Sequence, residues 1–432
     1  MKNSRYNWYV RRGETKLIYN CFTGAMYQLD EEHSHLGELL EIPGECLPES
    51  AFDDSCREAL ESTGFLVADD FDERTHLESL MEAARCSYAM KLTVVITRQC
   101  NFRCSYCIQR GGFSDQSVID EEVIHRLREM LFDLGPASVH TTLYGGEPLL
   151  CPEACFKTLE AVRTVYPGAG AMLVTNGYLL TGDLAAKFRD YGVSSAQITL
   201  DGPEEIHDRR RRTRDGRGTY RRILENTLEA SKYMRILLRV NVESGMEFDY
   251  TEFRNRFMSN RNIHVYRAPT TYFHHGSQEQ GARNFLAIEN SVCGDELYRK
   301  KLNARFPGCA STTRMCAVIL PEGRLVRCWN QVQDPSDSYS VSKQGLLASY
   351  ELWRKWNPFH IPECSECRML PICGGGCPDR SMKTGKPQCR YTPAGFEDFI
   401  HENFKARNTT TRKEVSHDTC QPPGDARPWG HA

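Results

Sequence analysis

Between about residues 91 and 270, short apolar runs alternate with helical segments, and that alternation limits the fold more than any other feature of the chain. The apolar runs are 92–97, 139–144, 171–175, 195–200, 236–242 and 262–266. One intervening helix reads over 120–134, where Val123, Leu127, Met130, Leu131 and Leu134 share a face. Asp120 can cap its start, Glu121 and Glu122 suit the positive end of its dipole, and Gly135-Pro136 ends it. About six strand–helix units predict a parallel sheet, either open or curled into a partial barrel. In such folds the chemistry gathers where strands end and loops begin.

The first apolar run leads into Cys100-Asn-Phe-Arg-Cys104-Ser-Tyr-Cys107. This spacing offers three thiolates from one tight loop and no fourth. An iron–sulfur cluster held by three cysteines keeps one iron open to a small molecule. A closed structural site supplies all its ligands. By itself the loop also fits a zinc site. The next strand ends in Tyr144-Gly-Gly-Glu-Pro148, where two glycines permit close backbone approach and Glu147 adds an anion. Thr175-Asn-Gly177 ends the following strand, and Gln197-Ile-Thr-Leu-Asp-Gly202 the one after.

Nineteen cysteines is a high count, and most fall in clusters of short spacing. The polar N-terminus has no apolar core of an export signal, so metal ligation explains the clusters better than disulfides do. After about residue 290 the helical periodicity falls, and cysteine, glycine and proline rise. Cys309, Cys316 and Cys328 precede Cys364-x2-Cys367-x5-Cys373-x3-Cys377 and then Cys389. Gly374-Gly-Gly376 would let the backbone wrap tightly around a cluster, although paired CxxC also suits tetrahedral zinc. Cysteines 21, 46, 56, 86, 151, 155, 293 and 420 read as buried or incidental thiols.

In order along the chain, the three-cysteine loop, Gly145-Gly-Glu-Pro148, Thr175-Asn-Gly177 and Thr199-Leu-Asp-Gly202 resemble the radical S-adenosylmethionine (SAM) superfamily. The resemblance covers about residues 90–270. It implies a partial (β/α)6 TIM-like barrel in an α/β protein. It makes Cys100, Cys104 and Cys107 the ligands of a [4Fe–4S] cluster whose open iron is chelated by SAM. Tyr106 would lie beside the adenine. Gly145, Gly146 and Glu147 would bind the SAM amino group. Thr199 and Arg211 match positions that contact its carboxylate and ribose, with Asn176 and Asp201 as further cofactor contacts. Arg211 is chosen by spacing from the four arginines at 209–212. His207-Asp208 resembles a hydrogen-bonded fold element of the family. No catalytic acid or base is identified.

The C-terminal array resembles the SPASM extension, which carries two auxiliary [4Fe–4S] clusters on peptide and protein modifiers. The resemblance assigns Cys309, Cys316, Cys328 and Cys377 to the first and Cys364, Cys367, Cys373 and Cys389 to the second, three clusters in all. Residues 1–85 contain strand-like runs at 16–20 and 25–29, helical stretches at 31–40, 51–62 and 76–85, and a short strand near 65–67. That order resembles the winged-helix-like leader-recognition element fused to maturases of ribosomally made peptides. The expected organisation is a small α+β leader-recognition domain at 1–85 and a radical SAM core at 90–290. A loop-rich SPASM domain at 305–400 and a disordered tail at 406–432 follow.

The function so implied is oxidative maturation of a ribosomally made precursor peptide. A 5′-deoxyadenosyl radical takes a hydrogen from one residue, and the product is a thioether or carbon–carbon cross-link. Implied partners are the precursor peptide, held through its leader, and an electron donor such as flavodoxin or ferredoxin. Because every ligand lies beyond residue 99, removing 1–85 is expected to leave the clusters intact. One alternative is an anaerobic sulfatase-maturating enzyme forming formylglycine. That family places an Asp after the cysteine equivalent to Cys328, where this chain has Trp329 and Asn330. Another is a zinc-stabilised binding protein. The net charge of −3 gives no general drive toward nucleic acid or anionic lipid. No run of about 18 apolar residues is present to span a membrane. The expected compartment is the cytoplasm.

Overall fold

The N-terminal unit contains β1 (Lys2–Asn3), β2 (Asn7–Arg12), β3 (Thr15–Asn20), β4 (Met26–Leu29), α1 (Leu36–Leu40), α2 (Asp54–Ser62), β5 (Leu66–Val67) and α3 (Glu73–Arg85). Strands β2, β3 and β4 form an antiparallel meander, and β1 pairs with β5. Strands β1 and β2 were not legible in sequence. β2 reads Asn-Trp-Tyr-Val-Arg-Arg, and its last two residues are exposed, so too few apolar positions alternate. Asn20 organises this unit from inside. Its amide donates to Asn7 Oδ1 at 2.9 Å and to the Gly64 carbonyl at 2.9 Å. Its carbonyl oxygen accepts from the Phe22 and Thr23 amides, each at 2.9 Å, which fixes the turn into β4. One sheet face, with Ile18 and Leu29, packs on Leu36, Leu40, Leu60 and Phe65. The other, with Trp8, Val10, Leu17 and Tyr19, belongs to the main core of the molecule.

Six parallel strands follow: β6 (Ala89–Val95), β7 (Ser138–Tyr144), β8 (Gly170–Thr175), β9 (Val193–Thr199), β10 (Arg235–Val242) and β11 (Ile263–Pro269). Between them run α4 (Glu121–Leu134), α5 (Pro152–Val165), α6 (Gly182–Asp190), α7 (Glu204–Arg210), α8 (Tyr220–Ala230) and α9 (Tyr250–Asn255). These are the units expected from the sequence. α4 starts and stops as its residues dictate, with Asp120 accepting from the Val123 amide at 2.9 Å and Gly135 left-handed at its end. On β9 and β10 the residues Ala196, Ile198, Leu238 and Val240 are buried in the core. Gln197, Thr199, Leu237 and Arg239, on the opposite face, are only partly covered. This computed structural model describes residues 1–48, 51–109, 116–243, 246–269, 308–389, 391 and 393–411.

The C-terminal segment is not simply a loop-rich appendage. β12 (Cys316–Ile319) pairs parallel with β6, and β13 (Arg324–Val326) and β14 (Tyr339–Ser340) continue antiparallel. Among the described residues the sheet therefore has nine strands, in the order β11-β10-β9-β8-β7-β6-β12-β13-β14. Four residues of β12 are too short a run to announce a strand without the β6 edge beside it. The last helix, Pro393–Thr411, runs six residues into the segment expected to be disordered from 406; residues 412–432 lie outside the described residues. Phe396 packs edge-on against Trp8 at 5.2 Å and Tyr19 at 6.1 Å, and Arg12 pairs with Asp398. Among the described residues, no helix is long and apolar enough to cross a membrane.

Candidate cluster and cofactor site

The loop after β6 carries Cys100, Cys104 and Cys107, and the glycine pair after β7 presses directly on it. The Gly146 amide donates to the Thr97 carbonyl at 2.8 Å, and the Glu147 amide to the Gln99 carbonyl at 2.6 Å. A Cβ on Gly145 would stand 2.4 Å from the Thr97 carbonyl oxygen, and one on Gly146 only 2.1 Å from that of Gln99. Only glycine permits this approach, so the pair shapes the cysteine loop as well as lining the site. Burial pushes the Cys100 thiol up to about 12, with Glu147 adding to the rise. Burial also raises Cys104, against the pull of Arg211. Both are therefore protonated without metal, and a metal must displace those protons to bind.

Glu147 is fully buried. Its Oε1 accepts from the Thr175 hydroxyl at 2.7 Å and the Leu149 amide at 3.0 Å, and its Oε2 from the Asn176 amide at 2.7 Å. Burial raises its pKa against these hydrogen bonds. In this structure the carboxylate ties the β7 and β8 loops together. Asn176 extends the tie, donating to Asn101 Oδ1 at 2.7 Å beside Cys100. Gly146 and Thr199 remain partly exposed at the barrel mouth.

Tyr106, Asp201 and Arg211, each expected as a separate cofactor contact, meet in one hydrogen-bond network. The Tyr106 hydroxyl donates to Asp201 Oδ2 at 2.5 Å and accepts from Arg211 Nη1 at 2.7 Å and Asn241 Nδ2 at 3.0 Å. Asp201, wholly buried, also accepts from the Asn241 amide at 2.9 Å. Asn241 was missed. It closes the predicted strand 236–242 at a strand end, which is where a polar residue deserved notice. His207 Nδ1 accepts from the Asp201 amide at 3.0 Å, and its Nε2 faces the Thr219 hydroxyl at 3.0 Å. Asp208 accepts from the Thr219 and Tyr220 amides at 2.8 and 2.9 Å. This pair is the hydrogen-bonded fold element expected, setting Asp201 and the start of α8.

The eight C-terminal candidate ligands gather in two places. Cys364, Cys367, Cys373 and Cys389 line one cavity, walled by Leu370 and Tyr391. Cys309, Cys377 and the acid Asp379 lie within electrostatic reach of Cys328, and Cys309 within that of Cys316. The glycine run makes the two gatherings adjacent. A Cβ on Gly374 would stand 2.9 Å from Gly308 Cα, and one on Gly376 would stand 2.0 Å from the Gln388 carbonyl oxygen. Gly374, Gly375 and Gly376 have φ of 60°, 79° and 79°. So the chain turns between Cys373 and Cys377 while the segments bearing Cys309 and Cys389 touch the same turn.

The donor sets fit iron–sulfur clusters. A single zinc ion draws four thiolates to about 2.3 Å from one point. Four thiols around an apolar-walled cavity suit a cluster, in which each iron takes its own thiolate. Cys100, Cys104 and Cys107 would hold one such group at the barrel mouth.

Residues 94–243 match the Radical SAM superfamily. Over 144 residues the chain is 32% identical to GTP 3′,8-cyclase of Aliarcobacter butzleri, covering 33% of this chain and 42% of that protein. The chain spans less than half the length of the curated relatives it matches, at 42%, 36% and 35% for three of them. Native anSMEcpe with bound AdoMet aligns over 75% of this chain and 100% of its own, with a TM-score of 0.56 and 16% identity. The same protein with AdoMet and Cp18Cys peptide gives 76%, 100%, 0.55 and 17%. At these identities the solved structures speak for the fold. The sequence match encloses the three loop cysteines, the glycine pair and the Tyr106–Asp201–Arg211 network, and over that segment the chain is similar to the radical SAM superfamily.

Proposed function

We propose that this chain is a radical SAM maturase of a ribosomally made peptide, installing an oxidative thioether or carbon–carbon cross-link. The observation that carries the reading is the N-terminal meander, which is docked on the cysteine-rich C-terminal segment and ends in an unpaired strand. β2 is flanked by the helix Pro393–Thr411 through Trp8, Phe396, Arg12 and Asp398. β4, at the other side of the sheet, has no strand beyond it among the described residues. A leader peptide would add there as a fourth strand, with roughly micromolar affinity from backbone hydrogen bonds and a few side-chain pockets. A structural neighbour solved with a peptide supports a peptide as the occupant of such a barrel.

When bound, a [4Fe–4S] cluster and SAM supply a 5′-deoxyadenosyl radical, the species able to take hydrogen from an unactivated carbon. The chain's residues then hold and shield. Gly145 and Gly146 keep the loop of Cys100, Cys104 and Cys107 against the barrel rim. Tyr106 and Asn241 fix the buried carboxylate of Asp201, and Arg211 donates to the same Tyr106 hydroxyl. The auxiliary thiols would hold two further clusters able to accept an electron from the substrate. Flavodoxin or ferredoxin would supply the initiating electron.

Formylglycine formation is the weaker reading. The position after Cys328 holds Trp329, stacked on Tyr144 at 4.4 Å and bonded to the Thr93 hydroxyl at 3.1 Å, so an indole occupies the place of a carboxylate base. The test is anaerobic reconstitution, reduction and incubation with SAM and a short peptide encoded beside this gene. The expected result is 5′-deoxyadenosine together with a peptide lighter by two hydrogens. Formation of 5′-deoxyadenosine with no change in any neighbouring peptide, but conversion of a sulfatase Cys or Ser, would replace this reading.

A further inference from the structure

The lumen of the barrel is divided in two. On the β6–β12 side it is filled by Val95, Val318, Leu320, Val326 and Val332, with Tyr144 and Trp329 packed against them. On the other side Tyr266, Arg239 and Thr199 stand in register across β11, β10 and β9. These three are only partly covered. Tyr266 donates to Gln197 Oε1 at 2.7 Å and accepts a hydrogen bond from Arg239. Arg239 Nε donates to Asn241 Oδ1 at 2.7 Å. Its partners are all neutral. The acids on the neighbouring strands are committed elsewhere: Asp201 and Glu243 pair with Arg210 at 3.9 and 3.4 Å. Among the described residues no carboxylate pairs with Arg239. Tyr144 lies within electrostatic reach of both Arg239 and Cys107, which puts the guanidinium on the cluster side of the lumen.

A half-buried guanidinium with no counter-charge is costly, and it gains most when an anion completes the site. Its planar fork matches a carboxylate in two-point fashion. We propose that Arg239 anchors a carboxylate of the substrate peptide, an Asp or Glu side chain near the residue that is oxidised. Tyr266 and Asn241 hold the guanidinium, Gln197 fixes Tyr266, and the Tyr144–Trp329 stack lies across the lumen. This specificity role rests on the peptide-maturase reading of the same site.

Ligand-observed NMR on the SAM-loaded holoenzyme tests it with three probes: Ac-Gly-Glu-Gly-NH2, its Gln counterpart and GTP. Wild type is expected to bind the Glu peptide about tenfold more tightly than the Gln peptide, the scale of one charge-assisted pair. Arg239→Gln should erase that preference, Arg239→Lys should restore part of it, and the SAM dissociation constant should change less than about twofold in both. Equal binding of the two peptides by wild type would overturn the proposal. So would a large loss of SAM affinity in Arg239→Gln with peptide preference intact, since the cation would then serve SAM's own carboxylate. Preference for GTP over both peptides would overturn it together with the peptide reading. The two failures separate because a peptide product with no acidic preference removes only the role of Arg239.

Discussion

The loop of Cys100, Cys104 and Cys107 and the cavity of Cys364, Cys367, Cys373 and Cys389 are both thiol sites, but they are built in opposite ways. The first takes all three thiols from one loop after one strand, braced by two glycines from the next loop. The second needs a glycine turn and a distant Cys389, and it lies beside the docked N-terminal unit. Arg5 and Arg74 pair with Glu366 at 2.8 and 3.5 Å, and Arg368 pairs with Glu41 at 3.5 Å. Buried Cys21 lies within electrostatic reach of Cys367. A local site tolerates damage elsewhere in the molecule, whereas a distributed one is coupled to folding.

The largest expected effect tests the independence of the local site. Replacing Cys100, Cys104 and Cys107 together by Ala should abolish 5′-deoxyadenosine formation and keep about two thirds of the iron, since eight auxiliary cysteines remain. Loss of all iron would show the two regions to be one. Next comes removal of residues 1–85. Sequence alone predicts intact clusters, but the structure buries Trp8, Leu17 and Tyr19 against the core that includes Phe396. The truncated protein should therefore lose auxiliary iron and solubility while the SAM loop, on the barrel, keeps its ligands. Full iron content in a soluble truncation would break the comparison.

Two glycine variants sharpen it. Gly376→Ala puts a Cβ 2.0 Å from the Gln388 carbonyl oxygen, at a φ of 79°. It should cost about 2–4 kcal/mol and release auxiliary iron. Gly146→Ala meets the Gln99 carbonyl oxygen at 2.1 Å. It should lose SAM-cluster iron with a smaller fall in Tm, because only one loop must shift. Iron per chain and Tm, measured together, read both outcomes.

Proton linkage gives a moderate effect. Burial raises Cys100 and Cys364 to about 12. A thiol raised above its unfolded value of about 8.5 favours the folded apo-protein below that pH, and the contribution is lost as pH climbs toward the folded value. The Tm of the apo-protein should fall from pH 8 to pH 10. Cluster affinity should rise over the same range, because the thiols must ionise to bind. A flat apo Tm would mean these thiols are not buried as described. The smallest effect is Tyr106→Phe. It removes the hydroxyl shared by Asp201, Arg211 and Asn241, and should cost about 1–2 kcal/mol while weakening SAM binding.

Legibility followed the length scale of the interactions. α4 announced itself because its cap, its apolar face and its stop lie within about fifteen residues. Strands β6 to β10 were legible because each is bounded by turn residues and followed by a helix. β12 was not, because it is held by β6, far away in sequence; β2 was not, because its exposed Arg11 and Arg12 break the apolar alternation even though its partner β3 is the next strand. Glu147 was read as an open anion, yet its partners Thr175 and Asn176 come from another loop and close it off. Asn241 and Arg239 lay unnoticed in a strand whose apolar residues drew attention first.

The spacing of Cys100, Cys104 and Cys107, the glycine turns and the strand–helix alternation were set by the chain alone, because each depends on neighbours a few residues apart. Tertiary structure decided which thiols share a cavity, which edge of the N-terminal meander has no strand beyond it, and which lumen cation has no carboxylate partner among the described residues. Those outcomes depend on burial and on electrostatic partners drawn from distant segments. Both arise only when the sheet closes and water is excluded, so no stretch of sequence carries them by itself.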